Sequence, residues 1–112
     1  MEYFLNRINT LTGIKYKDDP TILIWELANE PNCESDITGD TLYNWIEEMA
    51  LYIKSIDENH LVSTGEEGFY DREGAIGKIY DGSQGTDYLR NNQSEYIDVC
   101  SFHLYPPGYM LT

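Results

Sequence analysis

Three short strand-like runs recur along the chain at intervals of about 37 residues, and this spacing constrains the fold more than any other feature. The first is Thr21 to Ala28 (TILIWELA). The second is His60 to Thr64 (HLVST), stopped by Gly65. The third is Ile97 to Leu104 (IDVCSFHL), stopped by Pro106-Pro107. Between the first two, Leu42, Trp45, Ile46, Met49, Ala50 and Ile53 fall at helical spacing and form one apolar stripe, with Asp40 or Thr41 placed to cap it. A second helix is expected from Glu2 to Thr12, with Phe4, Leu5, Ile8 and Leu11 on one face and Gly13 just past its end. A shorter one is expected from Thr86 to Asn92. Helices alternating with strands at this spacing read as consecutive α/β units of a parallel sheet. Three strands cannot close a (β/α)8 barrel, which needs about 250 residues. The chain is therefore a small open α/β domain or a piece of a larger barrel.

Charge excludes several partners. The 112 residues carry 7 Lys+Arg against 20 Asp+Glu, a formal net charge of −13. Such a field repels phosphate backbones and anionic lipid, so neither nucleic acid nor a membrane surface is an expected partner. A neutral polymer such as a polysaccharide is indifferent to it. The 10 tyrosines suit sugar recognition, because their rings offer apolar faces to C–H groups and polar edges to hydroxyls. No run of eighteen apolar residues is present, and the opening residues are amphipathic rather than a secretion signal. Cys33 and Cys100 allow one disulfide but require none, and Asn92-Gln93-Ser94 is an N-glycosylation sequon. The histidines lie far apart and Cys33 has no CxxC companion, so no metal is expected, and no cofactor motif appears.

The chemistry is concentrated in Trp25-Glu26-Leu27-Ala28-Asn29-Glu30-Pro31. A strand that ends in Asn-Glu-Pro sets an amide and a carboxylic acid side by side at its C-terminal end, where parallel α/β barrels build their active sites. Cleaving a glycosidic bond needs an acid to protonate the leaving oxygen, and a hydrogen bond to the sugar 2-hydroxyl that tightens as positive charge develops. Pro31 fixes the chain as it turns away. In the third run, strand alternation puts Val99, Ser101, His103 and Tyr105 on one face and Cys100 and Phe102 on the other, the latter pair suited to packing against helices. Glu26 shares parity with Glu30; if it points inward it needs a partner, as a structural ion pair or hydrogen-bond anchor. Trp25 reads as core.

The blocks DPTILIWELANEP, SDITGDTLYNWIEEMALYIKSID, NHLVSTGEEGFYD, GTDYLRNN and SFHLYP, in this order, resemble the central section of glycoside hydrolase family five, and within it the endo-β-1,4-mannanases of plants and fungi. The resemblance runs from Asp19 to Pro106. It implies a partial (β/α)8 barrel, with the three runs as barrel strands four, five and six. Residues 1–112 would then lie within a single catalytic domain, with strands one to three and seven to eight missing from the chain. By the same resemblance Glu30 is the general acid/base and Asn29 the partner of the 2-hydroxyl. His103 faces the substrate, Tyr105 orients the nucleophile, and Glu67 lies near the leaving-group sugars. Asn32 departs from the pattern, since many relatives carry arginine immediately after the Asn-Glu-Pro.

The family is retaining, with two carboxyl groups about 5–5.5 Å apart, one protonating the leaving oxygen and the other attacking the anomeric carbon. By resemblance the nucleophile lies beyond Thr112. Half a catalytic pair on an unclosed sheet is expected to be inactive alone and poorly stable, with strand edges that promote association. The resemblance further implies a secreted, extracellular enzyme acting on a β-mannan-type polysaccharide, with no cofactor; the oligomeric state is left open. Another activity of the family, β-glucanase or β-mannosidase, or a non-catalytic sugar-binding remnant, are the alternatives.

Overall fold

The computed structural model describes residues 1–73 and 80–105. Helix α1 (Glu2–Leu5) is followed by a 3-10 turn (Tyr16–Asp18), strand β1 (Ile24–Glu26), the long helix α2 (Asp40–Ile56), strand β2 (Leu61–Ser63) and helix α3 (Tyr88–Asn91). The two strands pair in parallel, with Ile24 opposite Leu61, Trp25 opposite Val62 and Glu26 opposite Ser63. A parallel pair requires a long connection, and α2 supplies it.

The apolar stripe of α2 is buried as its spacing demands. Leu42, Ile46, Ala50 and Ile53 are buried and pack with Leu5, Leu27 and Val62, while Trp45 and Met49 flank the cluster. Each fully buried Leu, Ile or Val contributes roughly 1.5–3 kcal/mol. The helix begins at Asp40, but neither Asp40 nor Thr41 caps it. Asp36 does, accepting the Thr41 backbone N–H (2.9 Å) and hydroxyl (2.6 Å) and the Thr38 hydroxyl (2.6 Å). The Thr38 hydroxyl, followed by the Thr41 donors, holds its carboxyl well below the usual aspartate range.

The N-terminal helix is much shorter than Glu2 to Thr12. After Leu5 the chain reverses into an antiparallel bridge between Ile8 and Lys15. Asn9 drives the reversal: its side-chain oxygen accepts the N–H groups of Leu11 (2.9 Å) and Thr12 (3.4 Å), and its backbone exchanges bonds with Gly13 and Ile14. Short polar side chains that bond nearby backbone compete with helix in this way. Ile8 and Leu11 are consequently exposed.

The strands are also shorter than expected. Asp19 accepts the N–H and hydroxyl of Thr21, turning the residues that precede Ile24. Only Val99 of the third run is bridged, in parallel, to Ser63. Asp98 accounts for the shortening, because its carboxylate takes the Val62 N–H (2.8 Å) that a backbone carbonyl would take in a regular ladder. The Asp98 and Val99 amides still donate to the Val62 carbonyl, so the third run lies beside β2. Cys100 and Phe102 are both exposed. Both cysteines are free. The Pro106-Pro107 stop lies outside the described residues.

At the end of the sheet where the strands begin, a polar knot joins the segments. Asp57 accepts the Trp25 indole N–H (2.7 Å) and faces His60 Nδ1 (2.8 Å), and His60 Nε2 lies 3.0 Å from the Asp19 carbonyl. Trp25 is partly buried against the core, as read from the sequence. Lys54 closes the same region, pairing with Asp98 at 2.5 Å.

Candidate active site

The opposite end of the sheet, where the strands finish, brings together Glu30, His103 and Tyr105. Beyond β1, Leu27 donates to Ser63 O (3.0 Å) and Glu30 N to Gly65 O (2.9 Å), so the chain stays tied to β2 up to the glutamate itself. Gly65 makes this possible. It has φ +75, and a Cβ on it would lie 1.9 Å from the Ala28 carbonyl oxygen. Glu30 is the one non-glycine residue with positive φ (53°) among the described residues. That left-handed backbone is costly for a residue with a side chain, and such strain gathers at functional sites.

The Glu30 side chain is about one-third exposed, at 29%. His103 Nδ1 lies 2.8 Å from its Oε1, and the Tyr105 hydroxyl donates to the same oxygen at 3.4 Å. Alternation along the third run delivers both rings, and Ser101 on the same face accepts from the Ser63 hydroxyl at 3.3 Å. His103 is fixed at its backbone as well, donating to the Glu67 carbonyl (3.2 Å). One oxygen of the acid is thus gripped by two groups 73 and 75 residues away, and the side chain remains open to solvent.

Asn29 is exposed beside Glu30, and its amide makes no hydrogen bond among the described residues. Glu67 is half-buried and lines a cleft of about 470 Å³ shared with Phe69, Tyr70, Tyr88, Phe102 and His103. Burial raises the Tyr88 phenol above the usual tyrosine range, with Cys100 and Glu66 adding to the effect. Phe102 lines this cleft beside Tyr88 and Leu89 of α3. Glu26 is exposed and has no ion pair or hydrogen-bond anchor among the described residues. No group of three or more His, Cys, Asp or Glu among the described residues is placed to hold a metal ion.

Sequence reasoning missed Glu66. Its residue is 1% exposed, and its Oε1 accepts the Thr86 hydroxyl and the Asn91 amide (2.8 Å). Adjacent glutamates on an extended backbone must point to opposite sides, and that alternation was the available signal.

The profile described as GH family 5 beta-mannosidase-like matches residues 1–110. The chain belongs to glycoside hydrolase family 5. Mannan endo-1,4-beta-mannosidase 8 of Oryza sativa subsp. japonica is 53% identical over 115 residues, covering 98% of this chain and 31% of the rice protein. Mannan endo-1,4-beta-mannosidase 4 of Solanum lycopersicum is 51% identical, covering 95% of this chain and 27% of its own. Among solved structures, a hyperthermostable endo-1,4-beta-D-mannanase from Thermotoga petrophila superposes with TM-score 0.88 at 43% identity, over 95% of this chain and 32% of that one. The endo-1,4-beta-mannanase of Rhizomucor miehei gives 0.86 at 47% identity, over 94% of this chain and 32% of that one. This family 5 chain spans about a third or less of the length of the curated relatives it matches.

Proposed function

We propose that this family 5 chain is the acid/base-bearing part of a secreted endo-β-1,4-mannanase, occupying strands four to six of a (β/α)8 barrel whose other strands lie outside it. The observation that carries this reading is the Glu30 carboxyl, displayed at the finishing end of parallel strands and held by His103 and Tyr105. The solved endo-mannanases similar to the chain have that barrel fold, and active sites of such barrels lie at this rim.

In the mechanism Glu30, protonated at the outset, gives its proton to the leaving glycosidic oxygen. A carboxylate from outside this chain attacks the anomeric carbon from the other face, about 5–5.5 Å from Glu30. Water enters after the leaving sugar departs, and Glu30, now ionised, takes its proton as the mannosyl ester is hydrolysed. His103 and Tyr105 contact one carboxyl oxygen, which leaves the other directed to the substrate. The resemblance gave Tyr105 to the nucleophile; in this chain its hydroxyl also serves the acid. Asn29 is placed to bond the 2-hydroxyl as charge develops, and Glu67 to meet sugar on the leaving side. The substrate is a β-mannan, glucomannan or galactomannan.

A family 5 mannosidase from Rhizomucor miehei also matches, at 31% identity and TM-score 0.64, which keeps β-mannosidase as the second reading. The higher scores of the endo-mannanases favour internal cleavage. The decisive experiment uses the full-length protein. Glu30→Gln should abolish hydrolysis of mannan while binding persists, and undiminished turnover would remove Glu30 from the mechanism. Product sizes from the unmutated protein, oligosaccharides against mannose alone, separate the two readings.

A further inference from the structure

Glu66 is the one fully buried glutamate among the described residues, and the mechanism above does not use it. A carboxyl group enclosed by protein is costly unless hydrogen bonds compensate it. Here they reach one oxygen only, from a single segment, and Oε2 has no hydrogen-bond partner among the described residues. The Thr86 hydroxyl and the Asn91 amide both donate to Oε1, and the same amide also reaches the Thr86 hydroxyl oxygen at 3.3 Å. Thr86 precedes the Asp87-capped helix α3 and Asn91 is its last residue, so Glu66 holds both ends of that turn.

The segment it holds is tied to both loops of the site. The Cys33 amide donates to the Gln84 carbonyl (3.0 Å), linking it to the loop that follows Glu30. The Tyr88 amide donates to the Phe69 carbonyl (3.0 Å), linking it to the loop that follows β2. Glu66 thus has a brace on its side-chain end. Its backbone leads, one residue on, to the Glu67 carbonyl that accepts the His103 amide, and His103 in turn grips Glu30.

We propose that Glu66 is a positioning residue for the acid: by locking the 84–91 segment under the end of β2, it fixes the Glu67 backbone from which His103 is hung. Glu66 touches neither substrate nor Glu30. It acts through His103, and the proposal rests on Glu30 being the proton donor. Displacements on the order of 1 Å remote from the chemistry can cost about 10²-fold in rate. An isosteric amide in place of Glu66 keeps a carbonyl oxygen for the Thr86 and Asn91 donors and sets its NH2 where Oε2 has no partner, whereas an alanine removes the acceptor altogether.

The test uses the full-length enzyme carrying Glu66→Ala, with Glu30→Gln alongside. Each is assayed as kcat/KM on mannan and on a 2,4-dinitrophenyl β-mannoside or manno-oligosaccharide, whose leaving group departs without a proton. A misplaced acid lowers kcat/KM on mannan by about ten- to a hundredfold and leaves the activated substrate within about threefold of the unmutated enzyme. Equal losses on both substrates overturn the proposal, because lost fold or lost binding affects them alike. Unchanged kcat/KM on mannan overturns it too. Glu66→Gln, which keeps the acceptor oxygen at the same reach, should recover much of the mannan activity. If Glu30→Gln itself shows no selective loss on mannan, the reading of Glu30 has failed, and that outcome is separate from any result at Glu66.

Discussion

Gly65→Ala tests the geometry at its tightest point. The added Cβ would meet the Ala28 carbonyl oxygen at 1.9 Å, whereas ordinary contacts start at 3.4 Å, so the ends of β1 and β2 must part by about 1.5 Å. Residue 65 also sits at φ +75, which costs an alanine roughly 1–2 kcal/mol. Overpacking of this kind typically adds about 1–3 kcal/mol, giving a total of roughly 2–5 kcal/mol. That is a large share of a typical domain's stability of about 5–15 kcal/mol. The separation falls on the bond from Glu30 N to Gly65 O, so the acid moves with it. A loss of about 10²-fold in kcat/KM on mannan should accompany the loss of stability. Thermal and denaturant unfolding of the full-length protein measure one effect, and initial rates on mannan the other. Gly13→Ala is the internal control. Residue 13 has nearly the same φ, +74, but its Cβ would meet nothing within 4 Å, so only the backbone term should appear and activity should be untouched. If the two variants behave alike, the close approach of Gly65 to Ala28 does not organise the site.

Stability should fall on both sides of a mildly acidic plateau. Burial works against ionisation of Asp57, but bonds from the Trp25 indole, Asn59 and His60 outweigh it and hold the carboxyl below its ordinary value of 3.8. Its contribution is therefore present above pH 3.8 and lost as pH falls through the lowered pKa. Burial likewise disfavours a charged His60, but the Asp19 carbonyl and Asp57 prevail and raise it above 6.5; its contribution is full below pH 6.5 and lost as pH rises through the raised pKa. Melting temperature against pH should show both limbs, and His60→Gln should remove the alkaline dependence; a limb that survives would assign it elsewhere. At the site, His103→Ala should cost about 10- to 100-fold in kcat/KM and Tyr105→Phe less than about tenfold, following the 2.8 Å and 3.4 Å contacts. Steady-state kinetics that reverse this ranking would make the tyrosine the principal support of the acid.

Periodicity could be read in advance wherever packing alone decides. The stripe of α2 buries the residues its spacing selects, and alternation puts His103 and Tyr105 on one face. What could not be read was settled by single polar side chains. Asn9 competes for backbone and ends the first helix early, Asp36 caps α2 from four residues before it starts, and Asp98 replaces a rung of the ladder with its carboxylate. Each choice depends on which donor happens to be near, information that hydrophobic pattern does not contain. The same holds for Glu66 and Glu67. Their sequence is symmetrical, and only the fold makes one an internal anchor and the other a cleft residue.

The brevity of the strands bears on how the site is held. Three residues of β1 and three of β2 form regular ladder, and the third run contributes one bridge, yet the acid and its two supporting rings still converge. Strand length therefore does not place them. Register does, since a slip of one residue in the third run would carry His103 and Tyr105 to the far face. That register is pinned at two heights. The amides of Asp98 and Val99 meet the Val62 carbonyl low in the sheet, and the His103 amide meets the Glu67 carbonyl at the rim. Between these points the chain can depart from regular pairing without moving the imidazole, because both ends of the span are fixed to the same strand and its extension. The Asp98 carboxylate strengthens the lower pin by taking the Val62 N–H, and Lys54 ties that carboxylate to α2. The core helix and His103 are thereby joined through one aspartate far from Glu30.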